Sequence, residues 1–147
     1  MKAVVQRVKE GSVTIGGTLH ASINRGLVIL LGIARGDTEK DATFLADKCS
    51  SLRIFEDDEG KMNLGVKEVG GAALVVSQFT LYGDAQRGNR PSFTEAARPE
   101  EAEPLYQHFV SRMRANLGGD RVATGMFRAM MDVRIVNDGP VTIIIES

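Results

Sequence analysis

Leu27-Val28-Ile29-Leu30-Leu31 is apolar at five consecutive positions, so a strand through it has no face to offer water. Successive side chains of a strand point to opposite sides of its sheet. A run of this kind therefore belongs at the centre of a sheet covered on both faces. That demands a layer on each side, supplied by helices or by the sheet curling over on itself. A chain of 147 residues matches a single domain, and one core of that size holds without disulfides. Residues 1–147 accordingly read as one domain, with no repeat, low-complexity tract or linker-like shift.

Around the central run, Ala3 to Val8 reads as a strand, and Ser12 to Ile15 and Leu19 to Ile23 flank Gly16-Gly17 as a hairpin. Thr38 has the character of a helix N-cap, with Glu39 and Asp41 suited to the positive end of the dipole. Ala42, Leu45, Ala46, Cys49 and Leu52 then recur at helical spacing. After the turn-rich Asp57-Asp58-Glu59-Gly60, Ala73-Leu74-Val75-Val76 is a second buried strand. A long loop runs from about Gly83 to Arg98. A second helix spans about Pro99 to Leu117, striped by Leu105, Tyr106, Phe109, Val110 and Met113 and stopped by Gly118-Gly119. Two strands near Met131–Val136 and Val141–Glu146 close the chain, joined at Asn137-Asp138-Gly139-Pro140. The fold class is α/β of the mixed α+β kind: a curled, barrel-like mixed sheet of seven or eight strands with two outer helices.

Several function classes are excluded by what the chain lacks. A net charge of −1 provides no global field for collecting nucleic acid, so any such binding depends on a local patch. Cys49 is the only cysteine, which leaves no internal disulfide and points to the reducing cytoplasm. No apolar run is long enough for a membrane helix, and the first residues lack the apolar block of a secretory signal. The two histidines, His20 and His108, sit in no triad or metal-ligand spacing, and no Walker loop or dinucleotide fingerprint occurs. Cys49 lies on an apolar helix stripe, where cysteine packs as a small hydrophobe.

Two segments do not reduce to plain structure. Ser77-Gln78-Phe79-Thr80 sets hydroxyl, amide, aromatic and hydroxyl groups at the exit of a buried strand. Pockets are apolar walls carrying a few placed polar groups, so this is either a pocket wall or an ordinary strand end. Asn137-Asp138-Gly139-Pro140-Val141-Thr142 reads, on local chemistry alone, as a turn.

Taken together, Ser77-Gln78-Phe79-Thr80-Leu81 and Asn137-Asp138-Gly139-Pro140-Val141-Thr142 resemble the two signature motifs of the D-aminoacyl-tRNA deacylase family. The start Met1-Lys2-Ala3-Val4-Val5-Gln6-Arg7-Val8 is similar too. So are Arg53-Ile54-Phe55-Glu56-Asp57, Met62-Asn63-Leu64, Gly88-Asn89-Arg90-Pro91-Ser92-Phe93 and Thr124-Gly125 with Phe127 and Met131. The resemblance runs through the whole chain in order; Met130, where the family pattern is smaller or more polar, departs from it without touching the motifs.

The resemblance implies a homodimeric hydrolase of the ester joining a D-amino acid, or glycine, to the terminal adenosine of tRNA. It implies no metal and no cofactor, and a cytoplasmic location. Ser77, Gln78, Phe79 and Thr80 would form the catalytic segment, with backbone N–H groups on the carbonyl and Phe79 against the adenine or pocket wall; Thr80 either positions while water or the tRNA 2′-hydroxyl attacks, or is itself the nucleophile. Gly139-Pro140 would be a cis pair entering the partner subunit's site and rejecting L side chains, braced by Arg7. Arg87, Arg90 and Arg98 in the long loop are candidates for tRNA phosphates, or else line a solvated loop. Arg112 and Arg114 read either the same way or as favourable charges near a helix C-terminus. The alternatives are a related deacylase for L-alanine mischarged on tRNA, whose motif differs at Ser77-Gln78-Phe79, an RNA- or DNA-binding module, and a structural dimer. The first is disfavoured by the motif. The neutral charge and the lack of a basic tail argue against the non-catalytic RNA- or DNA-binding module.

Overall fold

A computed structural model describes residues 1–86 and 88–147. Its main sheet runs β2-β1-β3-β6-β7, with β8 on the free side of β1. These strands are β1 (Lys2–Ile15), β2 (Thr18–Ile23), β3 (Gly26–Gly32), β6 (Ala72–Ser77), β7 (Val122–Thr124) and β8 (Asp132–Glu146). The sheet curls into a nearly closed barrel. A small hairpin, β4 (Phe55–Glu56) with β5 (Met62–Leu64), stands apart from it.

β1 and β2 turn at Gly16-Gly17, both at positive φ (56° and 81°), the conformation that two-residue hairpin loops favour. β3 pairs in parallel with β6, and β6 with β7. Parallel neighbours need long crossovers, and α1 (Glu39–Ser51) and α2 (Pro99–Leu117) lie in those two connections. The two helices cover one face of the sheet. Asp41 turns back to the head of α1, where Thr38 N–H and Oγ1 donate to its carboxylate at 2.9 and 2.6 Å. Those bonds, the hydroxyl's foremost, hold the Asp41 pKa down to about 2.

The central run behaves as its composition demands. Leu27, Ile29 and Leu31 face the helices and join Leu45, Tyr106, Phe109 and Met113 in one buried cluster. Val28 faces the other way and joins Val8, Val13, Leu74 and Val76 in a second cluster. Curling of the sheet supplies that second layer, as the all-apolar run requires.

Two expectations are corrected. Ala3–Val8 and Ser12–Ile15 are one strand, β1, whose first half pairs with β3 and second half with β2. Asn137-Asp138-Gly139-Pro140 does not turn the chain between strands. Both halves of β8 pair with β1, Val8 opposite Asn137 and Gln6 opposite Thr142, so residues 138–141 are pushed out of the ladder beside Arg7. This is an enlarged bulge. Local turn chemistry identified the excursion but could not reveal that the same partner strand lies on either side of it. No helix is long and apolar enough to cross a membrane among the described residues.

Candidate active site

β6 loses its parallel partner at Ser77, which lies opposite Leu31. Gln78 N–H extends the ladder one step further by donating to Leu31 O at 2.8 Å. The chain then tightens into a 3-10 turn, Phe79–Tyr82, in which Leu81 N–H donates to Gln78 O at 3.3 Å. The first N–H groups of any such turn lie too close to its first carbonyl to bond within it. Here they are the N–H groups of Phe79 and Thr80, which bond to no acceptor among the described residues. The Gln78 side-chain amide donates to Thr80 Oγ1.

The loop after this turn folds back over it. Asp84 and Ser92 exchange backbone bonds of 2.8 Å in each direction. Phe93 is thereby brought edge-on to Phe79, with ring centres 5.2 Å apart and planes at 67°. Beyond Phe93 the loop is stapled to the end of β3, with Ala97 N–H donating to Ile33 O at 2.9 Å and Arg35 N–H to Glu95 O at 3.0 Å. A third wall follows β7, where Gly125 N–H donates to Val75 O at 2.9 Å. Phe127 rests there on Tyr106, their ring centres 5.7 Å apart.

These walls enclose a cleft of about 710 Å³ containing Ser77, Gln78, Phe79 and Thr80. Its floor is apolar, formed by Leu31, Ile33, Val76, Ala102 and Phe127, and Arg35, Arg98 and Arg128 stand at its edge. Both the apolar floor and the sparse polar groups suit a small organic moiety. Among the described residues no histidine, carboxylate or cysteine lines it. His108 lies between the helices, its Nε2 2.8 Å from Thr43 Oγ1, and His20 is on β2. Cys49 is fully buried, and burial pushes its thiol up to about 12. Burial likewise raises the Tyr82 hydroxyl to about 12 and moves Tyr106 upward, where its O–H donates to Val75 O at 2.9 Å. Among the described residues no three His, Cys, Asp or Glu side chains gather as a metal site.

Gly139-Pro140, a cis pair, forms the exposed tip of the β8 bulge. Arg7 is 6% exposed and holds the bulge from behind. Its Nε donates to Asp138 O at 3.2 Å and lies 3.4 Å from Asp138 Oδ2, while Nη1 donates to Ile54 O at 2.7 Å. Asn137 closes the base, accepting from Val141 N–H at 2.9 Å. None of residues 137–142 lines the cleft. Three strand steps and four residues of rise separate the bulge from Ser77, on the order of 20 Å along the sheet. One chain does not bring its own two motifs together.

The remaining candidates scatter. Arg98 is at the cleft edge; Arg90 is exposed on the loop away from it; Arg87 lies outside the described residues. Arg112 pairs with Asp47 at 2.7 Å across the helices, away from the cleft. Arg35 and Arg128 were missed by sequence reasoning, because no local pattern marks them and only the fold carries them to the cleft. Phe93 belongs to the Gly88–Phe93 stretch that the resemblance marks, but its place beside Phe79 shows only in the fold.

A family model described as D-Tyr-tRNA(Tyr) deacylase matches residues 4–146. A D-aminoacyl-tRNA deacylase of Chlorobaculum parvum is 59% identical over 147 residues, covering 100% of this chain and 98% of its own. One of Brevibacillus brevis is 57% identical with full coverage of both chains. The solved structure of a c-Myc DNA Unwinding Element Binding Protein superposes with a TM-score of 0.95 at 44% identity, covering 100% of this chain and 99% of that one.

Proposed function

The chain belongs to the D-Tyr-tRNA(Tyr) deacylase family, and from that premise we propose that its cleft cleaves the aminoacyl ester by holding and polarising it, without an activated protein nucleophile. The enzyme is a hydrolase, a D-aminoacyl-tRNA deacylase. The observation that carries the mechanism is the pair of unengaged N–H groups of Phe79 and Thr80 at the mouth of an apolar cleft.

An aminoacyl ester next to a free ribose hydroxyl is already reactive. Water, oriented by that hydroxyl, adds to the carbonyl carbon, and negative charge gathers on the carbonyl oxygen. The Phe79 and Thr80 N–H groups donate to it; losing one such donor raises a barrier by about 2.7–4 kcal/mol. The intermediate then expels the ribose 3′ oxygen, which takes up a proton, and leaves a free amino acid. Gln78 takes no direct part, since its N–H belongs to Leu31 O and its amide to Thr80 Oγ1. The Ser77 and Gln78 segment keeps the strand end in shape. Phe79 offers its ring to the adenine or to the pocket wall.

Chirality enters through a second copy of the chain. The Gly139-Pro140 tip is exposed and stands on the order of 20 Å along the sheet from its own Ser77, so it serves the cleft of a homodimer partner. Packed there, it meets an L side chain by clash and leaves room for a D side chain. Glycine has nothing to strike and is accepted. The tRNA substrate assigns the enzyme to the cytoplasm, where translation supplies it.

The test is release of amino acid from D-tyrosyl-, L-tyrosyl- and glycyl-tRNA by purified protein with a chelator present. Rapid cleavage of the D and glycyl esters with the L ester intact is the expected result. Cleavage of all three removes the chirality account, and binding without cleavage replaces the enzyme with a nucleic-acid-binding module.

A further inference from the structure

A second cavity of about 660 Å³ lies beside the cleft, and the two share Arg35, Ala97 and Arg98. The shared wall is built across a long sequence separation. Ala34 bridges Ala96, and the bonds from Arg35 to Glu95 and from Ala97 to Ile33 lock the two segments side by side. Both guanidiniums are exposed. Three carboxylates, Asp37, Glu100 and Glu101, also line the second cavity, but Asp37 is taken by the Met1 amino group and Ala34 N–H, and among the described residues neither Arg35 nor Arg98 is held in an ion pair. Two planar cations therefore face solvent on a rigid partition between two nucleotide-sized spaces. Guanidinium forks match phosphate oxygens in geometry as well as charge.

We propose that Arg35 and Arg98 clamp the phosphodiester on the 5′ side of the terminal adenosine, and that the second cavity seats the penultimate nucleotide. This rests on the deacylase reading, which sets the terminal nucleoside in the cleft beside Phe79 and Phe93. From there the RNA strand has to pass a phosphate over the cleft's edge, and the shared wall is where an edge opens onto another cavity. Pro104 and Leu105 give that cavity an apolar side for a base to lie against. The grip is local, which reconciles RNA binding with a net charge of −1.

The experiment compares kcat/KM for three D-aminoacyl esters: on adenosine, on adenosine 5′-monophosphate, and on cytidylyl-(3′-5′)-adenosine. The 5′ phosphate is expected to raise kcat/KM about 10- to 100-fold, the range of a charge-assisted bond, and cytidine to raise it further. In the Arg35→Ala/Arg98→Ala double variant the ratio between the phosphate-bearing esters and the adenosine ester collapses toward one. Arg35→Lys/Arg98→Lys restores part of it, because charge returns without the fork. Equal rates on all three esters, or an unchanged ratio in the alanine variant, overturns the clamp. No cleavage of any ester is a different result: it overturns the deacylase reading and the clamp with it.

Discussion

At the end of β6 the chain leaves its ladder after Gln78 and turns away; in the middle of β8 it leaves at Asp138 and returns at Thr142. Both departures carry polar residues out of a strand, but they differ in what happens to the backbone groups released. The β8 excursion is tied internally. Asn137 accepts from Val141 N–H, and Arg7 donates to Asp138 O while spanning to Ile54 O. The β6 exit leaves two N–H groups without an acceptor among the described residues, in residues that line an apolar cleft. A protrusion tied at its two ends suits a wall whose shape has to persist. An unsatisfied turn suits a site that donates to a passing charge, because its donors need no reorganisation when that charge appears.

The largest expected effect comes from untying the protrusion. Arg7→Ala removes a buried cation from beside Asp138 and leaves the Ile54 and Asp138 carbonyls without their donor. Asp138 keeps 31% of its side chain exposed, so the expected cost is about 3 kcal/mol of stability, the lower end for a broken buried pair, measured by urea unfolding. A loss below about 1 kcal/mol, the size of one ordinary hydrogen bond, would show that Asn137 holds the bulge by itself and that the two exits are less different than their bonding suggests.

Closing one of the open donors comes next. Proline has no N–H, and Gln78, at φ −144° and ψ 80°, lies outside the helical region that a following proline disfavours. Phe79→Pro therefore deletes the donor together with the ring, whereas Phe79→Ala deletes the ring alone. The proline variant is expected to fall about 100- to 1000-fold below the alanine variant in kcat, the usual consequence of losing one oxyanion donor. Equal kcat in the two variants would assign the carbonyl to some other group and make the open turn incidental.

The two exits were not equally legible beforehand. Their composition stands out in the sequence, as do both helices and the two-sided burial of Leu27–Leu31, because each is written in residues that are neighbours along the chain. What each exit does to hydrogen bonding depends on partners far away: Leu31 for Gln78, and Arg7 and Ile54 for the bulge. The same reason hides the continuity of β8, whose two halves look like separate strands until β1 is seen beside both. It also hides Arg35 and Arg128, ordinary surface residues in sequence that a cleft borrows. Short strands such as Val122–Thr124 are held by parallel pairing with β6 and carry too few residues for a period to show.

The smallest effect is expected at Thr80, and it separates the donor reading from a nucleophile reading of the same turn. A hydroxyl attacks an ester only when a neighbouring base takes its proton. Thr80 Oγ1 instead accepts a bond from the Gln78 amide, whose nitrogen has no lone pair to take a proton, and among the described residues neither histidine nor any carboxylate lines the cleft. The contribution of Thr80 is then its backbone N–H, which alanine keeps. Thr80→Ala should hold kcat on a D-aminoacyl-tRNA within about threefold of the parent, whereas removal of an essential nucleophile would lower it by about a thousandfold or more. The smaller change would leave both functional atoms of this exit on the backbone, and a thousandfold loss would return the chemistry to the side chain.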